Sequence, residues 1–350
     1  MAEPPKPGAR NALTDVAGIL VGHASDEAAR SGVTVIRCLR PMTAAVDVRG
    51  GGPGTRETDA LAPGALVDAV DAVVLAGGSV FGLAAADAVC AELSHQGVGR
   101  LRETRKVAIP IVPAAILYDL ENGGDKAWGA QPPYADLGRA ALAAAGEEVP
   151  LGSVGAGRGA MAGRLKGGLG SASIDLCEGL VVAALVAANP VGSVATPDAR
   201  CFWAWPFEID AEFGGARPDL SAPAAVEPVG RDTKLALADP DCPPFNTVIA
   251  AVACSAALTV AETQRVAIMA QDGLARAIRP AHTPFDGDTV FALASGDWTP
   301  PANRPLALAR IGAAAADCLA RATARGVYEA TADPDGPPAW RDRVQPGGSL

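Results

Sequence analysis

The segment Leu180-Val181-Val182-Ala183-Ala184-Leu185-Val186-Ala187-Ala188 is apolar at every position. A strand of that kind has no face to turn to water and must be covered on both sides. Periodicity alone also permits a buried helix, but the length of the run and the Asn189-Pro190 behind it favour a strand. Shorter runs of the same character recur over Gly18–Gly22, Gly32–Ile36, Ala44–Val48, Ala72–Ala76, Thr247–Cys254 and Asp288–Ala294. Most are bounded by glycine or polar residues, as strands are. Helical stretches alternate with them. Ser79 is expected to cap a helix reaching about His95, and Tyr134 to Ala145 reads as a helix closed by a left-handed Gly146. Thr259-Val260-Ala261-Glu262 has capping-box spacing, with Val266, Ala270, Leu274 and Ile278 continuing on one face. Leu306 to about Arg325 is an Ala-rich helix. Strands buried on both faces together with such helices predict a layered α/β sandwich with central sheets.

Composition bounds the function. The chain has 350 residues, 49% apolar and 19% charged, enough for one large domain or two ordinary ones and a poor match to disorder. A net charge of −10 argues against a nucleic-acid partner. The richest basic run, Arg100 to Lys106, reads as a solvated connector. Seven cysteines are scattered without a CxxC, which speaks against a disulfide framework or a zinc site. The N-terminus has no apolar h-region, and no apolar run is long enough for a bilayer, so a cytoplasmic protein without a membrane partner is expected. Between Pro206 and Asn246, Pro, Gly, Asp and Glu dominate, as in a linker. Residues 331–350 read as a tail.

The linker ends abruptly. Pro243-Pro244-Phe245-Asn246 passes directly into the apolar strand that begins with Thr247. If the Asn246–Thr247 bond is cut, Thr247 gains a free α-amine beside its own hydroxyl, a nucleophile and a base in one residue. Other motifs have both a chemical and a plain reading. Gly77-Gly78-Ser79-Val80-Phe81-Gly82 follows a strand and opens a helix, as anion sites do, but it lacks the spacing of the nucleotide-binding fingerprints and suits a structural turn. The glycines of Arg49-Gly50-Gly51-Gly52-Pro53-Gly54 let the backbone approach something closely. Lys166 sits in a glycine-rich turn, either as a buried base or as an exposed lysine. Asn189 is an oxyanion donor or the start of a turn. Asp286 and Asp288 flank a glycine, either orienting a nucleophile or forming an Asp-Gly turn. There are three histidines. His282 stands out only because Asp286 and Asp288 follow it.

In order, Gly50-Gly51-Gly52-Pro53-Gly54-Thr55-Arg56-Glu57, Leu75-Ala76-Gly77-Gly78-Ser79, Val112–Asp119, Lys166-Gly167-Gly168-Leu169-Gly170, Asn189, Asn246-Thr247 and His282–Thr289 resemble the L-aminopeptidase/D-esterase (DmpA-like) peptidase family, which includes β-aminopeptidases and the nylon-oligomer hydrolase NylC. The resemblance runs from about Ala12 to about Val327. It implies a four-layer αββα sandwich of the N-terminal-nucleophile type and self-cleavage into 1–246 and 247–350, with Thr247 as nucleophile. It further implies Asn189 as oxyanion donor, Tyr118 near the nucleophile, Lys166 as the lysine of the K-G-G motif, and Asp286 and Asp288 as the orienting acidic pair. The implied activity is hydrolysis of short peptides or amino-acid amides, or alternatively of aminohexanoate oligomers, without metal or cofactor and commonly as a homotetramer. Thr247 and the two aspartates are the NylC-like choices, whereas Lys166-Gly167-Gly168 is the peptidase-like form. A reading from outside this class is an anion- or nucleotide-binding protein using the Gly77–Gly82 turn.

Overall fold

The runs Gly32–Ile36 and Ala44–Val48, separate in the sequence reading, are the two ends of one eighteen-residue strand, Ser31–Val48, in a computed structural model. The structure describes residues 5–100, 106–197, 200–219, 227–237 and 246–343. The strands are β1 Ile19–Asp26, β2 Ser31–Val48, β3 Thr55–Arg56, β4 Ala69–Ala76, β5 Ala114–Ile116, β6 Met161–Ala162, β7 Leu165–Lys166, β8 Gly168–Asp175, β9 Val181–Asn189, β10 Thr247–Ala256 and β11 Thr289–Trp298. The helices are α1 Ala84–His95, α2 Tyr134–Ala143, α3 Val260–Ala277, α4 Arg304–Tyr328 and the short α5 Trp340–Arg343.

Nine strands share one sheet. Its order is β3-β5-β4-β2-β11-β10-β9-β8, with β1 added to β2. The hinge of this sheet is β2. Its first half pairs with β1 and β4, its second half with β11, and the β4 register slips between Arg37 and Met42. Beyond the slip the sheet folds over on itself. Ile36, Val73 and Leu75 of one half face Leu185, Ile249, Ala251 and Phe291 of the other in a shared apolar layer. Helices α1 and α2 cover the outer face of the first half over Val33, Val35 and Val74, and α3 and α4 cover that of the second over Val186, Ala250, Val252 and Val290. This is the expected four-layer αββα sandwich, with its two sheets hydrogen-bonded to each other through β2.

The apolar runs now have a cause. Along β10, Val248, Ala250, Val252 and Cys254 face the α3/α4 layer, while Ile249, Ala251 and Ala253 face the middle layer. Alternation sends successive side chains into two different cores, so neither set can be polar. β9 has the same position and the same pattern.

Several local expectations change. Thr259 and Glu262 form the capping box of α3, as expected. Ser79 instead opens a 3-10 turn, Ser79–Leu83, with φ of 53° and no side-chain capping bond. Gly146 is not a left-handed cap: its N–H and C=O pair with Val21 at 3.1 and 2.9 Å, which ends α2 at Ala143. Residues 331–343 of the expected tail lie on the body, where Trp340 is buried and its ring centroid is 4.7 Å from that of Phe202. Within the expected linker, Phe213 is buried and Glu212 pairs with Arg321 in α4. Residues 220–226, 238–245 and 344–350 of these segments, and 101–105 of the basic run, lie outside the described residues.

Candidate active site

Thr247 is the first residue of β10 and is buried. Asn189, at the end of β9, lies directly opposite it in the antiparallel ladder. The Thr247 hydroxyl donates to the carbonyl of Asn246, the residue before it. That carbonyl also accepts the N–H of Gly287 at 3.0 Å, and the Asn246 N–H donates to Phe285 O at 3.0 Å. The bond between Asn246 and Thr247 is therefore held as a short parallel bridge to the 285–287 loop, with its carbonyl oxygen already facing two donors.

That loop is fixed from both sides. The Gly50–Gly52 run lies across it, and the N–H groups of Arg49 and Gly52 donate to Asp288 O and Asp286 O at 2.9 and 2.8 Å. A Cβ on Gly50 would stand 2.3 Å from Asp286 O, so the close approach expected of these glycines is made to the acidic loop. Gly287 carries the same constraint, since a Cβ there would meet Gly52 O at 2.6 Å and Thr247 Oγ1 at 2.7 Å.

Asp286 and Asp288 are buried but well supplied with donors. Asp286 accepts from Val191 N at 3.1 Å, Thr283 N at 2.9 Å and Thr283 Oγ1 at 2.7 Å. Burial and the neighbouring Asp288 charge raise its pKa. Asp288 accepts from Val248 N at 2.9 Å and from His282 Nδ1 at 2.7 Å. Burial opposes a charged imidazole at His282, yet the Asp288 carboxylate prevails and raises its pKa.

Asn189 is fully buried, and its orientation follows from its partners. A backbone N–H can only donate and a carbonyl can only accept. Met161 N, at 2.9 Å, therefore marks Oδ1, and Tyr118 O, at 2.9 Å, marks Nδ2. One N–H of the amide remains for another acceptor. Tyr118 thus enters the site through its carbonyl. Lys166 stands one step further back. It pairs with Met161 in the β6–β7 hairpin, and its Nζ donates to Arg158 O at 2.5 Å and faces Asp333 at 3.5 Å. Burial lowers its pKa to about 8, with Asp333 opposing the shift.

Lys234 is a residue the sequence reading passed over. It lies in the Pro- and Gly-rich segment taken as linker, and its backbone N–H donates to Val191 O at 3.0 Å. Its ammonium donates to Asn246 Oδ1 and lies 3.4 Å from Asn189 Oδ1. Burial lowers its pKa to about 7, against the pull of Asp286. The only local signal is the apolar Leu-Ala-Leu that follows it. Gly287 was likewise legible only as a turn glycine.

The Gly77–Ser79 turn offers no anion site. The N–H groups of Gly77 and Ser79 are taken by Gly32 O and Leu117 O at 2.9 and 3.0 Å. That of Gly78 is taken by the buried Asp119 carboxyl at 2.8 Å, so an acceptor already stands where a phosphate would. Among the described residues no group of three His, Cys, Asp or Glu side chains is placed to hold a metal ion, no disulfide forms, and no helix is long and apolar enough to cross a membrane.

The sequence profile of peptidase family S58 matches residues 11–335. The chain is 46% identical to an uncharacterized aminopeptidase of Mycobacterium tuberculosis, over 95% of this chain and 97% of that one. It is 30% identical to a 6-aminohexanoate-oligomer endohydrolase of Paenarthrobacter ureafaciens, over 81% of this chain and 74% of that one. Among solved structures, a Burkholderia sp. β-aminopeptidase superposes with a TM-score of 0.68 at 24% identity, over 94% of this chain and 90% of that one. The L-aminopeptidase D-Ala-esterase/amidase of Ochrobactrum anthropi, described as a variant of the Ntn hydrolase fold, superposes at 0.67 with 20% identity, over 94% and 89%.

Proposed function

Because the chain belongs to peptidase family S58, we propose that it is a self-processing, aminopeptidase-like amide hydrolase whose mature form consists of residues 1–246 and 247–350. One observation carries the reading. The Thr247 hydroxyl lies on the carbonyl of its own preceding residue, in a buried site where Gly287 N–H already serves the same oxygen.

In the uncut chain, Thr247 Oγ attacks the Asn246 carbonyl carbon, and charge develops on an oxygen that Gly287 N–H is placed to stabilise. Collapse breaks the C–N bond. The Thr247 nitrogen leaves as an amine carrying the proton given up by Oγ, and water hydrolyses the resulting ester. The α-amine so released, with an ordinary pKa of about 8, takes the Oγ proton in each later turnover. Nucleophile and base then reside in one residue, and the scarcity of histidine ceases to matter. The substrate's acyl group passes to Oγ, the amine product leaves, and water releases the acid.

The remaining residues act as holders and donors. The spare Asn189 N–H is a second oxyanion donor of turnover, beside the Gly287 N–H. Asp288 fixes the backbone beside the nucleophile through Val248 N, and Asp286 fixes the loop that carries Gly287. Tyr118 O and the Lys166 hairpin hold the Asn189 amide from behind.

Short peptides and amino-acid amides are the favoured substrates, supported by the aminopeptidase-named relative at 46% identity. The endohydrolase at 30% supports aminohexanoate oligomers as the second reading. Incubation of the processed protein with a panel of amino-acid amides, beside linear aminohexanoate oligomers, separates the two. Turnover of neither class by a fully processed protein contradicts the proposal. A homotetramer is the assembly proposed from the family resemblance, with a cytoplasmic location proposed separately, and sedimentation of the processed protein checks its mass.

A further inference from the structure

Asn246 is the first acyl residue that Thr247 attacks, so its surroundings mark where later acyl residues sit. The inference rests on the amide-hydrolase reading above. Any acyl group on Thr247 Oγ that points its carbonyl oxygen at Gly287 N–H places its Cα substituents where those of Asn246 now lie. One substituent is the Asn246 nitrogen, which donates to Phe285 O at 3.0 Å; a substrate α-amine would take that place and that acceptor. The other is the side chain, and it runs to Lys234.

The chemistry of this second position is one-sided. Asn246 Oδ1 accepts from the Lys234 ammonium. Asn246 Nδ2 is buried with no partner among the described residues. Among the described residues the position offers the Lys234 ammonium as donor and no acceptor. A hydrocarbon side chain there would leave the ammonium with the Asn189 amide oxygen, at 3.4 Å, as its remaining hydrogen-bond acceptor among the described residues. A buried donor without a good acceptor is costly, and a charged one more so. An oxygen on Cγ removes that cost, and an aspartyl carboxylate adds a charge opposite to the ammonium's.

We propose that Lys234 is the specificity-determining residue for the acyl side of the substrate, selecting α-amino acyl groups with an oxygen acceptor on Cγ, asparaginyl or aspartyl, over aliphatic groups of similar size.

The test uses the processed wild-type enzyme and the p-nitroanilides of L-Asn, L-Asp, L-Leu and L-Ala. The kcat/KM for Asn and Asp is expected to exceed that for Leu by about tenfold or more, the worth of one charge-assisted hydrogen bond. In Lys234→Met that ratio falls toward one. Should Lys234→Met stay uncut, Lys234→Gln replaces it. A neutral donor keeps the Asn preference and loses the Asp preference. A wild-type enzyme that cleaves the Leu substrate as well as or better than Asn and Asp overturns the proposal while leaving the amide-hydrolase reading intact. A Lys234 variant that is processed and keeps both preferences also overturns it. Failure of a fully processed enzyme to cleave any of the four counts against the aminopeptidase reading, and the proposal falls with it.

Discussion

Lys166 and Lys234 are both lysines whose pKa burial lowers, to about 8 and about 7, yet they keep different company. Lys166 has a countercharge. Its ammonium faces Asp333, which is itself gripped by two Arg158 nitrogens at 2.7 and 3.0 Å, and it donates to the Arg158 carbonyl. Lys234 donates to neutral amide oxygens, Asn246 Oδ1 and Asn189 Oδ1, and feels the Asp286 charge only through space. A buried charge that already has its counterion is fixed in place. One given only neutral acceptors remains responsive to whatever arrives beside it. The lysine inside a recognisable motif thus has a fixed carboxylate partner, and the lysine in a stretch that looks like linker is the one that touches the residues around the Asn246–Thr247 bond.

Asn189 is where the two regions meet, since Lys234 touches its Oδ1 and the Lys166 hairpin supplies the Met161 N–H to the same atom. The largest effect is expected there. In processed protein, Asn189→Ala should lower kcat by about a hundred- to a thousandfold, the usual cost of one oxyanion donor. Turnover close to wild type would remove Asn189 from the role and leave both lysines without a shared target.

The next effect separates the lysines directly. Lys234→Met should slow conversion of the uncut chain to fragments by about tenfold, because the Asn246 side chain loses its charged donor. The time course of band conversion on denaturing gels after expression of each variant reads this. Lys166→Met should register mainly in stability, with about 1–3 kcal/mol lost, since Asp333 keeps its Arg158 partner. Thermal unfolding of the uncut Thr247→Ala background measures it. A Lys166→Met enzyme with unchanged Tm and a turnover loss as large as that of Asn189→Ala would reverse the comparison.

The smallest effect is a pH dependence. A lysine whose folded pKa lies below its unfolded value of 10.5 binds fewer protons folded than unfolded between the two values. Stability therefore climbs with pH across that window. For Lys234 the window opens near pH 7, and for Lys166 near pH 8. In the uncut background, the rise in stability from pH 7 to 9 should shrink in Lys234→Met from the start of that range, and in Lys166→Met only in its upper half. Identical profiles for the two variants would mean that the two lysines share one environment.

The layered fold was legible because its signal is physical. Strands such as β9 and β10 send alternate side chains into two cores, so they are apolar throughout. β2 was not legible as one strand because Leu39, Arg40 and Pro41 interrupt it. They are exposed at the slip where the strand leaves one layer for the other. Asn189, Asp286 and Asp288 each had a plain reading alone, and with Thr247 they were singled out as an ordered set by the family resemblance; the structure brings all four together. Lys234 could not be singled out, because an irregular segment has no period and its side chain acquires meaning only from where the chain carries it. Lys166 was found by its glycines, but glycines report close packing, and what packs there is backbone: a Cβ on Gly167 would meet Ala188 O at 2.2 Å and one on Gly168 would meet Gly326 O at 2.3 Å.

All of this turns on the bond between Asn246 and Thr247. Purified wild-type protein and Thr247→Ala, run side by side on a denaturing gel with N-terminal sequencing of the smaller band, test it most directly. The wild type should give two fragments, the smaller beginning Thr247-Val248-Ile249, and the variant should remain one chain. A wild type that stays intact while folded, a small fragment that begins elsewhere, or a Thr247→Ala chain cut as readily as the wild type would contradict the account.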